Sequence, residues 1–158
     1  MGDDDIEQLK ALYAPLRRFA GIIAPAGVAP DDLVQEVFTR VVERGGLAGI
    51  ESPVHYLRRA LVNLVSNERR HFKASQRAFT RHGLTADERE PTYPSDLTEL
   101  LRIDPRARLL TYLVDVEGAS ITEAAELAGC TQGAARMQLS RARRQLRNLL
   151  EENDAHTA

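Results

Sequence analysis

Apolar residues recur at three- and four-residue steps through most of this chain, a period that predicts α-helices throughout. Ile6, Leu9, Leu12, Leu16, Phe19 and Ile23 predict a first helix over residues 5–23, with Pro15 inside it as a point of kinking. Pro25, Gly27 and Pro30 then break the chain. A second helix over residues 30–44 opens with Pro30, Asp31 and Asp32, residue types that suit a helix N-terminus. Its buried stripe is Leu33, Val34, Val37, Phe38, Val41 and Val42, while Asp31, Asp32, Gln35, Glu36 and Glu43 lie off it as an acidic face. Gly45, Gly46 and Gly49 mark a flexible loop. Ser52 followed by Pro53 reads as an N-cap with Pro at the first helical position. The third helix, residues 53–73, places Val54, Leu57, Ala60, Leu61, Leu64 and Val65 inside and carries Arg58, Arg59, Asn63, Asn67, Arg69 and Arg70 elsewhere.

From residue 71 to about 93 the pattern dissolves into Thr, Ser, Gly, Asp, Glu and Pro, which predicts a linker and a domain boundary. Beyond it, Ser95 is a candidate cap for a short helix carrying Leu97, Leu100 and Leu101. Asp104 and Pro105 open another, with Leu109, Leu110, Leu113, Val114 and Val116 inside and Gly118 ending it. The limits expected are 1–75 for a first domain, 76–94 for the linker, 95–152 for a second domain and 153–158 for a disordered tail.

Residues 120–150 organise the second half. Ser120 and Glu123 have the spacing of a capping box. Gly129 stands where a left-handed C-terminal residue is wanted, and Ala125 and Gly129, one helical turn apart, are small residues placed where two helices approach closely. Thr131 offers a second N-cap. The helix after it buries Ala135, Leu139, Ala142, Leu146, Leu149 and Leu150 and displays Arg136, Arg141, Arg143, Arg144 and Arg147. A short helix, a Gly turn and a longer Arg-bearing helix match a helix-turn-helix, whose second helix enters the DNA major groove. Arg suits that task because its planar fork pairs with guanine or holds phosphates. A solvated Arg-rich face is the plainer alternative; the small residues at the turn favour DNA.

Charge changes this picture. The formal net charge is −2, low for a protein that holds duplex DNA unaided. The charges are segregated, with basic segments at residues 58–77 and 136–147 and acidic ones at 3–5, 31–36, 87–90 and 151–154. This predicts a DNA binder that relies on a partner. A single Cys excludes an internal disulfide framework and a Cys-based zinc site. Cys130 lies in the helix-turn-helix turn, where a packed thiol is the expected role. The four His are scattered, and there is neither a Gly-rich phosphate loop nor an H-E-x-x-H motif. No catalytic residue, metal site, cofactor or small-molecule substrate is expected. The acidic N-terminal residues lack a signal-peptide profile and no apolar run reaches membrane-span length, so the expected setting is cytoplasmic, with no membrane partner.

In combination these segments resemble a bacterial RNA polymerase sigma factor of the sigma-70 family, extracytoplasmic-function (ECF) group, over nearly the whole chain. PDDLVQEVFTRVVER is similar to region 2.2, which in that family binds the β′ coiled coil of core polymerase. SPVHYLRRALVNLVSNERR resembles regions 2.3 and 2.4, which open and read the −10 element. The stretch from Ile103 to Leu146 resembles region 4, which reads the −35 element. The family often has Trp where Tyr56 stands, Pro where Asp104 stands and Asp where Asn67 stands. Its recognition helices often read S-E-G-T-V-K-S-R-L where this one reads TQGAARMQL, so Ala134, Ala135, Met137 and Gln138 set the −35 preference of this chain apart.

The resemblance implies an all-α protein of two small helical domains joined by a flexible linker. It implies core polymerase contacts from Asp32, Leu33, Gln35, Glu36 and Phe38. It implies −10 contacts from Tyr56, Arg58, Arg59, Asn63, Asn67, Arg69 and Arg70, and −35 contacts from Thr131, Gln132, Arg136, Gln138, Arg141, Arg143 and Arg144. The implied partners are core RNA polymerase, through its β′ coiled coil and β flap, promoter DNA, and an anti-sigma factor as a candidate regulator. Two other readings compete: a sigma-like mimic that binds an anti-sigma factor without reading a promoter, and an ordinary helix-turn-helix regulator. Arg69, Arg70, Arg136, Arg141 and Arg143 argue against the mimic, and the absence of a recognisable sensor or dimerisation segment argues against the regulator.

Overall fold

The computed structural model describes the backbone of residues 1–80 and 99–157, and the side chains of residues 1–67 and 99–157. The described elements are all helical: α1 (Asp3–Ile23), α2 (Pro30–Glu43), α3 (Pro53–Thr80), α4 (Pro105–Thr111), α5 (Ile121–Ala128) and α6 (Gln132–Thr157). A 3-10 turn, Leu100–Arg102, precedes α4, and a π-helical turn, Tyr112–Val116, continues it. The chain divides into two compact units, Met1–Pro91 and Thr92–Ala158. The division falls inside the stretch expected as a linker, most of which lies outside the described residues.

In the first unit α1, α2 and α3 pack on one another around Leu16, Phe19, Ile22, Val34, Val37, Val41, Leu57 and Leu61, all 1% exposed or less. Neither α1 nor α2 has a side-chain N-cap; Gly2 and Ala29 occupy those positions. Long-range polar contacts fix the entry of α2 instead. The Tyr13 hydroxyl on α1 donates to Asp31 Oδ1 at the start of α2, and Arg17 Nε donates to the same oxygen at 2.8 Å. The acceptor role holds the Asp31 carboxyl below its ordinary pKa, with the Tyr13 hydrogen bond the larger cause and Arg17 the next. The same hydrogen bond pushes the Tyr13 phenol up.

The glycine loop after α2 has a definite form. Gly45, Gly46 and Gly49 have φ of 101°, 109° and 78°, and Leu47 between them is 4% exposed, so the loop is pinned to the core by one side chain. Gly46 also lies against α1: a Cβ there would stand 2.3 Å from Asp5 Oδ2.

In the second unit each helix junction carries a local signal. Asp104 caps α4 by accepting from the Arg106 amide at 3.1 Å. The Glu123 amide donates to Ser120 Oγ at 3.1 Å and the Ser120 amide donates to Glu123 Oε2 at 2.9 Å, completing the capping box of α5. Gly129 ends α5 at φ 69°, and the Cys130 amide donates back to the Ala125 carbonyl. Thr131 Oγ1 then accepts from the Ala134 amide at 3.1 Å and starts α6. Leu110, Leu113, Ala124, Ala125, Ala135, Leu139 and Ala142 form the core that these junctions close.

Several expectations change. α3 continues to Thr80, beyond the limit of residue 73 expected for this helix, and α6 continues to Thr157, into residues 153–158 expected as a tail. The apolar stripe detects only the buried part of a helix; residues 151–157 are exposed on all sides, and Asn153 Nδ2 is tied back to Glu99 Oε1 at 3.0 Å. The acidic segment 84–95, Ser95 and Leu97 lie outside the described residues. Val116 is 59% exposed instead of buried, because the π turn adds a residue to the helical register and swings it outward. Gly129 has open space around its Cβ position, so it serves the left-handed turn and not a close approach.

Candidate nucleic-acid interface

On α6 the buried residues Ala135, Leu139, Ala142 and Leu149 define the inner face. Directly opposite, at steps of four, three and four residues, run Gly133, Met137, Ser140 and Arg144, all exposed. Arg136 and Arg141 flank this row on its two sides and are exposed. Among the described residues, Arg136, Arg141 and Arg144 make no ion pair or hydrogen bond with a side chain, so their guanidinium groups are available to an external anion or base edge. Gln132 is exposed in the first turn, and the exposed Thr131 already spends one hydroxyl lone pair on its cap.

Two expected DNA contacts stand differently. Arg143 is held by Asp115 of the π turn in a bidentate pair, Nη2 to Oδ1 at 2.6 Å and Nε to Oδ2 at 3.1 Å. Its charge is therefore answered within the unit. Gln138 is half-buried and leans toward the inner face. The outward row also contains Gly133 and Ser140, which were not among the expected contacts, and Met137, expected only as a departure from the usual recognition-helix pattern. Counting from the apolar stripe to its opposite finds Gly133 and Ser140; selecting by charged and amide residue types does not.

On α3, Tyr56, Arg59, Asn63 and Asn67 succeed one another at three- and four-residue steps and share the face away from Leu57, Leu61 and Leu64. Asn63 and Asn67 are exposed. Tyr56 is half-buried, with the Arg44 guanidinium 5.2 Å from its ring centroid, so one face of the ring is covered by a cation. Arg58 turns aside from this row and lies 4.8 Å from the centroid of the buried Phe19 ring. The side chains of Arg69 and Arg70 lie outside the described residues.

On α2, Asp32, Gln35 and Glu36 are exposed on one face, with Glu36 bridged to Arg40 at 3.0 Å. Leu33, expected among the polymerase contacts, is 3% exposed; the ~100° advance per residue turns it from Asp32 into the core. Beside the acidic row, Phe38 lines an apolar hollow with Ile6, Leu9, Tyr13 and Val42. Ile6 and Val42, expected inside, are 37% and 47% exposed and add apolar surface next to the charged one. Among the described residues there is no cluster of His, Cys, Asp or Glu arranged for a metal, and no helix long and apolar enough to cross a membrane.

The described residues thus form two helical units, the second a capped helix-turn-helix whose outer surface carries Arg136, Arg141 and Arg144. Over 98% of its length the chain is 27% identical to the RNA polymerase sigma factor CarQ of Myxococcus xanthus, of which the match covers 94%. It matches a chain in the co-crystal structure of the sigma factor RpoE in complex with the anti-sigma factor NepR from Bartonella quintana, with a TM-score of 0.72, 23% identity and coverage of 95% of this chain and 98% of that one. It also matches a chain in the co-crystal structure of the anti-anti-sigma factor PhyR with NepR from the same organism, with a TM-score of 0.57, 19% identity and coverage of 89% and 49%. No family profile matches the chain. The resemblance read from the motifs thus holds along nearly the whole chain, which is similar to sigma factors of the ECF group and, in the described residues, has their fold of two helical domains.

Proposed function

We propose that this chain is an ECF-type sigma factor that docks on core RNA polymerase through α2, reads a −35 element with α6, and reads and opens a −10 element with α3. The observation that carries the reading is the outer face of α6, where Arg136, Arg141 and Arg144 stand exposed and uncommitted among the described residues, on a helix fixed at its N-terminus by the Thr131 cap. Base edges are met by the first turns of such a helix, which gives Gln132 and Arg136 base-reading roles and Arg144 a phosphate role. The net charge of −2 accords with a subunit that core polymerase carries to DNA. On α2, an acidic row beside exposed Ile6 and Val42 suits a partner that is basic and partly apolar. On α3, opening a duplex requires capture of an unstacked base, a cost of a few kcal/mol, and Tyr56 with Asn63 supplies a ring and an amide for it once Arg44 moves.

Run-off transcription with core polymerase on a promoter library tests the proposal, and the expected outcome is promoter-specific initiation. Asp32→Ala with Gln35→Ala should weaken core binding by ~2 kcal/mol or more while the protein stays folded, as removal of central interface residues does.

The second reading, a sigma-like mimic engaged by an anti-sigma factor, is favoured by two particular observations. Arg143 is neutralised by Asp115, and the Tyr56 ring is covered by Arg44, so two of the expected DNA residues are occupied internally. The fold does not separate the readings, because it is shared with a chain from the PhyR complex. Failure of every library promoter alongside tight binding of an anti-sigma factor would select the mimic.

A further inference from the structure

We infer that Met137 is a specificity-determining residue that reads the C5-methyl group of a thymine in the −35 element. This rests on the sigma-factor reading of α6. Met137 lies at the centre of the outward row, one turn after Gly133 and one before Ser140 and Arg141, and is 55% exposed. A Cβ at Gly133 would meet nothing within 4 Å, so the row opens with bare backbone and lets a neighbouring surface come close to Met137. An apolar side chain held in water at that position gains free energy only by being covered. In the major groove the base edges present hydrogen-bonding groups, with one exception: the thymine methyl is the apolar feature there. A thioether set between Arg136 and Arg141 therefore selects thymine where the two guanidinium groups select guanine or phosphate. The unbranched Met side chain can bend to meet the methyl without a fixed rotamer.

The test uses holoenzyme assembled from core polymerase and the full chain, on a promoter selected from the library. Each thymine of the −35 element is replaced in turn by deoxyuridine, which removes only the methyl group. Native holoenzyme should lose about four-fold in binding at one thymine, the worth of one buried methyl-sized group. Met137→Ala holoenzyme should bind the thymine and uracil versions of that position equally, while Arg136→Ala retains the difference. Indifference of native holoenzyme to every replacement, on a promoter that it still binds specifically, overturns the role of Met137 and leaves the sigma-factor reading intact. Absence of any promoter preference in the native holoenzyme overturns both.

Discussion

The two units solve the same problem, joining short helices, by opposite means. In the second, the junctions are written locally: Asp104, the Ser120–Glu123 box, Gly129 and Thr131 each satisfy helix-end groups within a few residues of themselves. In the first, α2 begins at Ala29 with no side-chain cap and α1 has only the Asp5 carboxylate reaching back to the Gly2 amide, while the arrangement of the helices depends on partners far apart in sequence: Tyr13 and Arg17 on Asp31, and Asp5 against Gly46. A locally written unit presents α6, the proposed reading helix, ready-made, with Arg136, Arg141 and Arg144 uncommitted among the described residues. A unit held by distant contacts keeps its candidate DNA residues partly engaged, as with Tyr56 under Arg44 and Arg58 over Phe19. Under the proposed function, the difference fits a division of labour in which α6 meets an intact duplex and α3 rearranges as strands part.

The largest expected effect breaks the first unit at its loop. Gly46→Ala sets a Cβ into a backbone with φ of 109° and 2.3 Å from Asp5 Oδ2. Asp5 must then swing away and release the Gly2 amide, to which it is joined at 3.3 Å. The expected loss is about 1–3 kcal/mol, the usual cost of a residue forced into a sparsely populated backbone region. Gly45→Ala, at φ 101° but with open space around it, carries the strain alone and should cost less. Denaturant titration compares them, and equal losses would mean that the Asp5 contact contributes nothing.

Ser120→Ala is the matching break in the second unit and should cost ~1 kcal/mol, as loss of an N-cap does. Its effect should stay local, with amide exchange rising in α5 and α6 and unchanged in α1 and α2. Exchange that rises equally in both units would erase the contrast drawn between them.

What the sequence made legible follows the same division. Ser120, Glu123, Gly129 and Thr131 were readable because a cap is a motif of adjacent letters whose geometry is fixed by the backbone. The Tyr13–Asp31 bond joins residues 18 apart, and nothing in either neighbourhood announces the other. Asp31 therefore read as a solvated acid. The stripe rule located the cores but overreached at its edges: Ile6, Val42 and Val116 fit the period and are exposed, since a helix end or a π turn shifts the register without changing residue type. At the candidate site, the Arg residues were visible by composition. Which of them is already neutralised depends on Asp115, 28 positions from Arg143 on another element.

The Tyr13–Asp31–Arg17 clasp predicts a pH dependence confined to the first unit. The folded-state pKa of Asp31 is lowered, so its contribution is present above the ordinary carboxylate pKa and is lost as pH falls through the folded value. The folded-state pKa of Tyr13 is raised, so its contribution is present below the ordinary phenol pKa and is lost as pH rises through the folded value. Between these limits the clasp is pH-independent. Tyr13→Phe should flatten the alkaline limb of the stability profile and move the acid limb toward that of an unpaired Asp. An unaltered profile would place the junction's stability in the apolar core alone.

The smallest effect on stability is expected from Asp115→Ala, and it is the sharpest for function. The Arg143 and Asp115 side chains are 46% and 36% exposed, and exposed pairs of this kind contribute ~0–1 kcal/mol, less in salt. Removing the carboxylate should therefore leave the melting transition almost unchanged. It also releases a guanidinium on the helix proposed to lie in the groove. If Arg143 then reaches a phosphate, the slope of log affinity against log salt should steepen by about 0.9, the counterion release of one added contact. Arg144→Ala, which removes an uncommitted cation from the outward row, should make the slope shallower by about the same amount. Both slopes are read from promoter binding by holoenzyme across a salt series. Opposite shifts would show that the π turn, by aiming Asp115 at α6, sets how many charges this helix presents to DNA. A native slope in the Asp115→Ala protein, with stability also native, would mean that Arg143 points away from the backbone and that its pairing with Asp115 serves the fold alone.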